Sequence, residues 1–160
     1  MPRNTPAGHD DNAADVSIKP PDVVEFRGVF GFAETIDRLE DEIAGRGLQV
    51  FARIDHAANA VMVSLDMPPA TVLVFGSARG GTPLMLKAPA LALDLPLRVL
   101  VRQDQDGVVV SYRDPVAMLA SFGLSASDAA PLQALAAIAQ MATRGNDPGR
   151  GHGEAERDER

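Results

Sequence analysis

The amino-acid sequence predicts an α+β fold. One domain is expected, a mixed, mostly antiparallel sheet packed by helices on one side. Three observations point there. Two β-prone runs, residues 23–26 and 48–54, flank a segment with Ile36, Leu39 and Ile43 at helical spacing, which makes a strand–helix–strand opening. The Asp106, Gly107 pair lies between two apolar runs, a strong hairpin signal. Strand–helix–strand and hairpin elements are thus mixed within one domain-sized stretch, which points to helices against a mixed or antiparallel sheet.

Taken in order, residues 1–21 are rich in Pro, Asn, Asp, Gly and Ala without periodicity, and read as a disordered arm. Residues 23–26 begin a strand, and Gly31 interrupts it. The helix over residues 35–43 has Glu34 and Asp37 near its positive end, with Gly45 or Gly47 to stop it. Residues 48–54 form a strand with Leu48, Val50, Ala52 and Ile54 on one side. Residues 56–59 read as a helical turn, residues 61–65 fit helix or strand, and Pro68 with Pro69 ends them. The apolar run 71–75 reads as a central strand covered on both faces. Thr82 followed by Pro83 reads as a helix N-cap and first turn, running to Lys87, with a break at Pro89.

Residues 97–102 and 108–112 are the arms of the hairpin. Asp114 and Pro115 cap a helix closed by Gly123. Ser125 to Asp128 precede an alanine-rich helix over residues 129–143, with Leu132, Leu135, Ile138 and Ala139 facing the core. Residues 145–160 read as a second disordered stretch, a charged tail, which leaves residues 22–144 as the folded domain.

Composition narrows the function classes. The formal net charge is −7 and no Lys/Arg cluster appears, which argues against nucleic acid and against an anionic membrane surface as partners. Aromatic residues make up 4% of the chain and Trp is absent, so stacking platforms for single strands are not expected and the core must be aliphatic. The absence of cysteine excludes disulfides, thiol catalysis and thiolate metal sites. No apolar run reaches the roughly 20 residues that span a bilayer, and the start of the chain has no apolar signal core, so a cytoplasmic location is expected.

Seven separated pieces of sequence agree in order and spacing with a known family. They are the helix start at residues 35–39, the run Arg53, Ile54, Asp55, His56, Ala57, Ala58, Asn59, Ala60, and the Phe75, Gly76 pair. Next come Gly81, Thr82, Pro83, Leu84, Met85 and then Leu93, Asp94, Leu95, Pro96, Leu97. The last two are Asp106, Gly107 followed by Val110, Ser111, Tyr112, and Asp114 with Pro115. On these residues the chain resembles the bacterial and archaeal domain-of-unknown-function family 302 over residues 23–124. The resemblance implies a small soluble α+β domain that self-associates, here as a homodimer, and implies no established activity. Ser77 and Ala78 stand where the family usually has Asn-Pro, and the alanine-rich final helix lies beyond the resemblance.

Three places are candidates for chemistry. The glycine-dense segment 76–82, with Gly76, Ser77, Arg79, Gly80, Gly81 and Thr82, reads as a loop whose backbone N–H groups form an anion nest at a helix start, Arg79 adding a charged contact. It is not a Walker-type loop, because Gly81 occupies the place of the lysine. The alternative reading is a tight connection whose glycines serve only the backbone.

The second candidate is His56, the one histidine within residues 22–144, as a general base or a ligand to haem or metal. A metal site is not expected, since a lone histidine lacks companions. The third is Asp94, a turn cap or a partner for Arg53, Arg98 or Lys87, or for His56.

The expected function is a non-enzymatic binding module for a small anion or an anionic cofactor at His56, Gly76, Ser77, Arg79, Gly80, Gly81, Thr82 and Asp94. The alternatives are an enzyme using His56 as its base, or a structural homodimer domain.

Overall fold

The structure is a computed structural model that describes residues 20–144. The expected disordered arm, apart from Pro20 and Pro21, and the expected charged tail lie outside the described residues. The hairpin lies within the sheet: β4 (Leu97–Asp104) turns into β5 (Gly107–Arg113), Asp104 pairs with Gly107, and Gly107 takes φ +123°, a conformation open to glycine. With β1 (Val23–Arg27), β2 (Gln49–Asp55) and β3 (Ala70–Gly76) the strands lie in the order β1-β5-β4-β3-β2, every neighbouring pair antiparallel. The sheet is thus wholly antiparallel, and β1 and β2 are its edges.

Alternation sorts the residues. Leu73, Phe75, Leu97, Val99, Val101, Val108, Val110 and Tyr112 share the buried face. Against it pack α1 (Phe32–Gly45), through Ile36, Leu39 and Ile43, and α5 (Ala134–Thr143), through Leu135, Ile138, Ala139 and Ala142. Each such large apolar side chain contributes about 1.5–3 kcal/mol by leaving water. The opposite face carries half-buried Val72, Val74 and Leu100 beside a charged lattice in which Arg102 pairs with both Glu25 (3.3 Å) and Asp104 (3.1 Å). Strand β3 is therefore interior to the sheet but closely covered on one face only, which corrects the expectation of double coverage.

Other expectations are also corrected. Helix α1 starts at Phe32, earlier than residue 35, because Gly31 caps it and Phe32 packs on the core. The side of β2 assigned to Leu48, Val50, Ala52 and Ile54 is split by a bulge between Val50 and Ala52. Beyond the bulge Arg53, not Ala52, shares the helix side with Val50, and it reaches Glu40 of α1 at 3.7 Å. The final helix is broken. A 3-10 stretch, Ala126–Leu132, opens with a reciprocal Ser125–Asp128 cap and contains Pro131, after which α5 begins at Ala134.

The remaining helices are α2 (His56–Val61), α3 (Ala78–Lys87) and α4 (Pro115–Ala120), the last started by Asp114 accepting from Val116 N–H as expected. No helix among the described residues is long and apolar enough to cross a membrane.

Candidate functional site

Helix α3 begins where the sequence suggested a loop. Ser77 is its N-cap: its Oγ accepts the Gly80 N–H at 3.2 Å, and its carbonyl accepts the Gly81 N–H at 2.9 Å. Gly80 and Gly81 thus lie inside the helix with their amides already bonded, so they do not form the expected anion nest. Thr82 and Pro83, read as the start, fall mid-helix. Thr82 looked like a cap because Pro83 comes next, but Ser77 bonds the backbone one turn earlier.

The glycines instead allow close approach. A Cβ on Gly80 would sit 3.4 Å from Pro131 Cβ, and one on Gly76 would sit 3.6 Å from Pro96 Cβ and 3.9 Å from the Phe51 ring. The bulge in β2 leaves Phe51 outside the ladder, near Gly76. Between α3, the start of β2, the end of β3, the cis-bonded Leu95–Pro96 before β4 and the Pro131 turn lies a cavity of about 250 Å³. Gly76, Ser77, Gly80, Gly81 and Thr82 line it together with Leu48, Phe51, Met85, Leu95, Pro96 and Pro131, so the wall is mostly apolar. No charged side chain lines it.

One wall is clamped from outside. Lys87 of α3 donates to Asp128 at 2.6 Å, and Asp128 also accepts the Ser125 N–H at 3.0 Å. The Lys87 ammonium first, then the Ser125 donors, hold the Asp128 carboxyl down at about 2.

The other predicted site residues lie elsewhere. Arg79 is exposed and does not line the cavity. His56, also exposed, is the first residue of α2, whose N-cap Asp55 accepts the Ala58 N–H at 2.9 Å. No side chain among the described residues hydrogen-bonds to the imidazole. In the β2–β3 ladder Asp55 pairs with Thr71 and Gln49 with Gly76, so His56 and the glycines sit at opposite ends. Asp94 closes the 3-10 turn Pro89–Leu93 and borders a separate hollow beside Arg98, Leu100 and Ser111. Its expected cationic partners are engaged elsewhere: Arg98 with the Leu93 carbonyl, Lys87 with Asp128, Arg53 with Glu40. His56, Asp94 and the glycine segment do not converge on one site. Among the described residues no three His, Asp or Glu side chains gather as a metal site would require.

Sequence reasoning missed Leu48, Phe51, Met85, Pro96 and Pro131 as cavity residues. Pro131 carried a usable signal, since a proline inside an alanine-rich run breaks the helix and exposes a turn. Phe51 carried none, because the bulge that places it is not legible in the alternation of β2.

The fold belongs to a recognised class of small α+β domains. The sequence pattern of the family described as "Domain of unknown function DUF302" matches residues 25–143, and the chain belongs to that family. The match reaches the end of α5, so the final helix is part of the family's fold and not an addition to it.

A solved structure of an uncharacterized conserved DUF302 protein from Bacillus stearothermophilus superposes with a TM-score of 0.71 at 19% identity, over 78% of this chain and all of that one, and shares the fold. The chain is also 41% identical over 112 residues to proteins named fluoride-specific ion channel FluC 1, from Brucella suis and Brucella abortus. That similarity covers 68% of this chain but only 44% and 42% of theirs, so the chain spans less than half the length of these relatives.

Proposed function

We propose that this domain is a non-enzymatic ligand-binding module and that its site is the cavity under α3. The observation that carries this reading is that five residues singled out in the sequence, Gly76, Ser77, Gly80, Gly81 and Thr82, line one cavity of about 250 Å³. Concave, mainly apolar hollows with a few placed polar groups are the usual form of small-molecule sites. An enzyme built on His56 has less support, since the imidazole is exposed, lies away from the cavity and has no side chain bonded to it among the described residues to orient it.

Native mass spectrometry of the protein from its own host tests the reading. A small molecule retained by the wild type and by His56→Ala, and lost from Gly81→Leu, is the expected result. Loss from His56→Ala with retention in Gly81→Leu would return the site to the histidine, and a bare mass in all three would remove the reading.

A second reading, self-association, is favoured by one patch. Met62 is 83% exposed, Val63 67% and Leu65 63%, next to the end of the edge strand β2 where Ile54 is also exposed. Contiguous exposed apolar surface of this kind marks interaction sites, and a homodimer would cover it. Light scattering on wild type and Met62→Asp/Leu65→Asp is expected to show a dimer becoming a monomer. A monomer in both would end this reading.

A further inference from the structure

We propose that the cavity under α3 takes a compact, largely apolar molecule of about ten carbons carrying one hydrogen-bond-accepting end, and not a free inorganic anion. This inference rests on the reading of the cavity as a ligand site and assigns the chemistry of its occupant.

Size comes first. A dry cavity of about 150 Å³ lined by Leu, Ile and Phe side chains admits benzene. The cavity here, at about 250 Å³, has room for a fused two-ring body or an equivalent branched chain. Its walls are of matching chemistry, since Leu48, Phe51, Met85, Leu95, Pro96 and Pro131 supply apolar surface and no Lys, Arg or His lines it. A phosphate or fluoride ion entering would shed water without meeting a cation, an uncompensated cost. The Gly80 and Gly81 amides are already bonded to Ser77.

The polar end of the ligand is set by Ser77. Its Oγ uses a lone pair to accept the Gly80 N–H, which leaves the hydroxyl proton to donate into the cavity that Ser77 lines. The complementary group on the ligand is an acceptor, a carbonyl oxygen or a carboxylate that stays at half-buried Ser77 and keeps part of its water there, as an inorganic ion inside the apolar hollow would not.

Gly81 points the same way. Glycine inside a helix is unfavourable relative to alanine, so its presence calls for a steric reason. At Gly80 there is one, because Pro131 stands at 3.4 Å from an added Cβ. At Gly81 a Cβ would meet Leu95 and Met85 at 3.7 and 3.8 Å, ordinary contacts that alanine tolerates. Both of those neighbours line the cavity. What glycine preserves at this position is open volume, which a ligand site uses and a packed core does not.

The test is an NMR titration of the full chain with 2-naphthoate, sodium phosphate and sodium fluoride as separate probes. Saturable shifts are expected with 2-naphthoate at Gly76, Ala78, Gly81, Met85 and Leu95, with none from phosphate or fluoride. Gly81→Leu, which fills the space, should weaken 2-naphthoate by about tenfold or more. Should that variant not fold, Gly81→Ala carries the test with an expected weakening of about threefold, since one methyl takes part of the volume.

Shifts caused by phosphate or fluoride but not by 2-naphthoate would overturn the assigned chemistry while leaving the cavity a site. So would silence with all probes if native mass spectrometry still finds a retained molecule. Silence in both experiments would overturn the site itself, as would 2-naphthoate shifts confined to residues 61–67.

Discussion

Where Gln49 faces Gly76, the β2–β3 ladder runs into α3, the Leu95–Pro96 bond and the Pro131 turn, and a cavity is walled on several sides. Where Asp55 faces Thr71, at the other end of β2, the same two strands lead into α2, none of whose residues is buried, and into an exposed apolar segment. The difference arises from the segment that each strand leads into. Strand β3 leads into a capped helix with two glycines, which packs close to its neighbours. Strand β2 leads into a single short helix with no buried residue to anchor it. The first end encloses a hollow, and the second leaves apolar side chains exposed.

Cutting into the walled end should have the largest effect. Phe75, fully buried beside Gly76, should lose about 3–5 kcal/mol of stability on Phe75→Ala, because both transfer energy and a residual void count against the variant. Met62→Ala at the bare end should stay within about 0.5 kcal/mol in the same denaturant titration. Comparable losses at the two sites would show that the apolar segment is packed after all.

Gly81→Ala is expected to stabilise the fold by about 1 kcal/mol, from helix propensity alone, while weakening ligand. A destabilised Gly81→Ala would mean that the glycine serves packing rather than open volume.

The smallest effect concerns pH. Asp128, clamped by Lys87 and Ser125, and Asp104, whose carboxyl is held to about 2 chiefly by its bond from Arg27, both have folded pKa values below the unfolded one. Depressed carboxyls contribute stability that is complete above the unfolded pKa and is lost as pH falls through the folded one. Stability should therefore fall between about pH 4 and about pH 2, and Asp128→Asn should flatten that decline. Because Asp128 ties the Pro131 turn to α3, Asp128→Asn should also loosen the cavity wall, read as faster amide exchange at Leu84 and Met85. An unchanged acid profile would remove the clamp from the account.

Much of the fold was legible in the residues. The amphipathic spacing of Ile36, Leu39 and Ile43 marked α1, and the Asp106, Gly107 pair marked the β4–β5 hairpin, because both signals are local. The site was legible only in part. The glycines mark residues 76–82 in the sequence, but as a loop rather than a helix, since the decisive cap, Ser77, competes with the Thr82–Pro83 start signal. The bulge that frees Phe51 and the convergence of Leu95, Pro96 and Pro131 on α3 depend on contacts between residues far apart in sequence, and no local pattern encodes them.

The decisive measurement is a set of intermolecular NOEs between 2-naphthoate and the methyl groups of the full chain. Cross-peaks from the ring protons to Met85 and Leu95 are the expected result. Cross-peaks to Met62, Val63 and Leu65 instead would place the ligand at the bare end and contradict a site under α3.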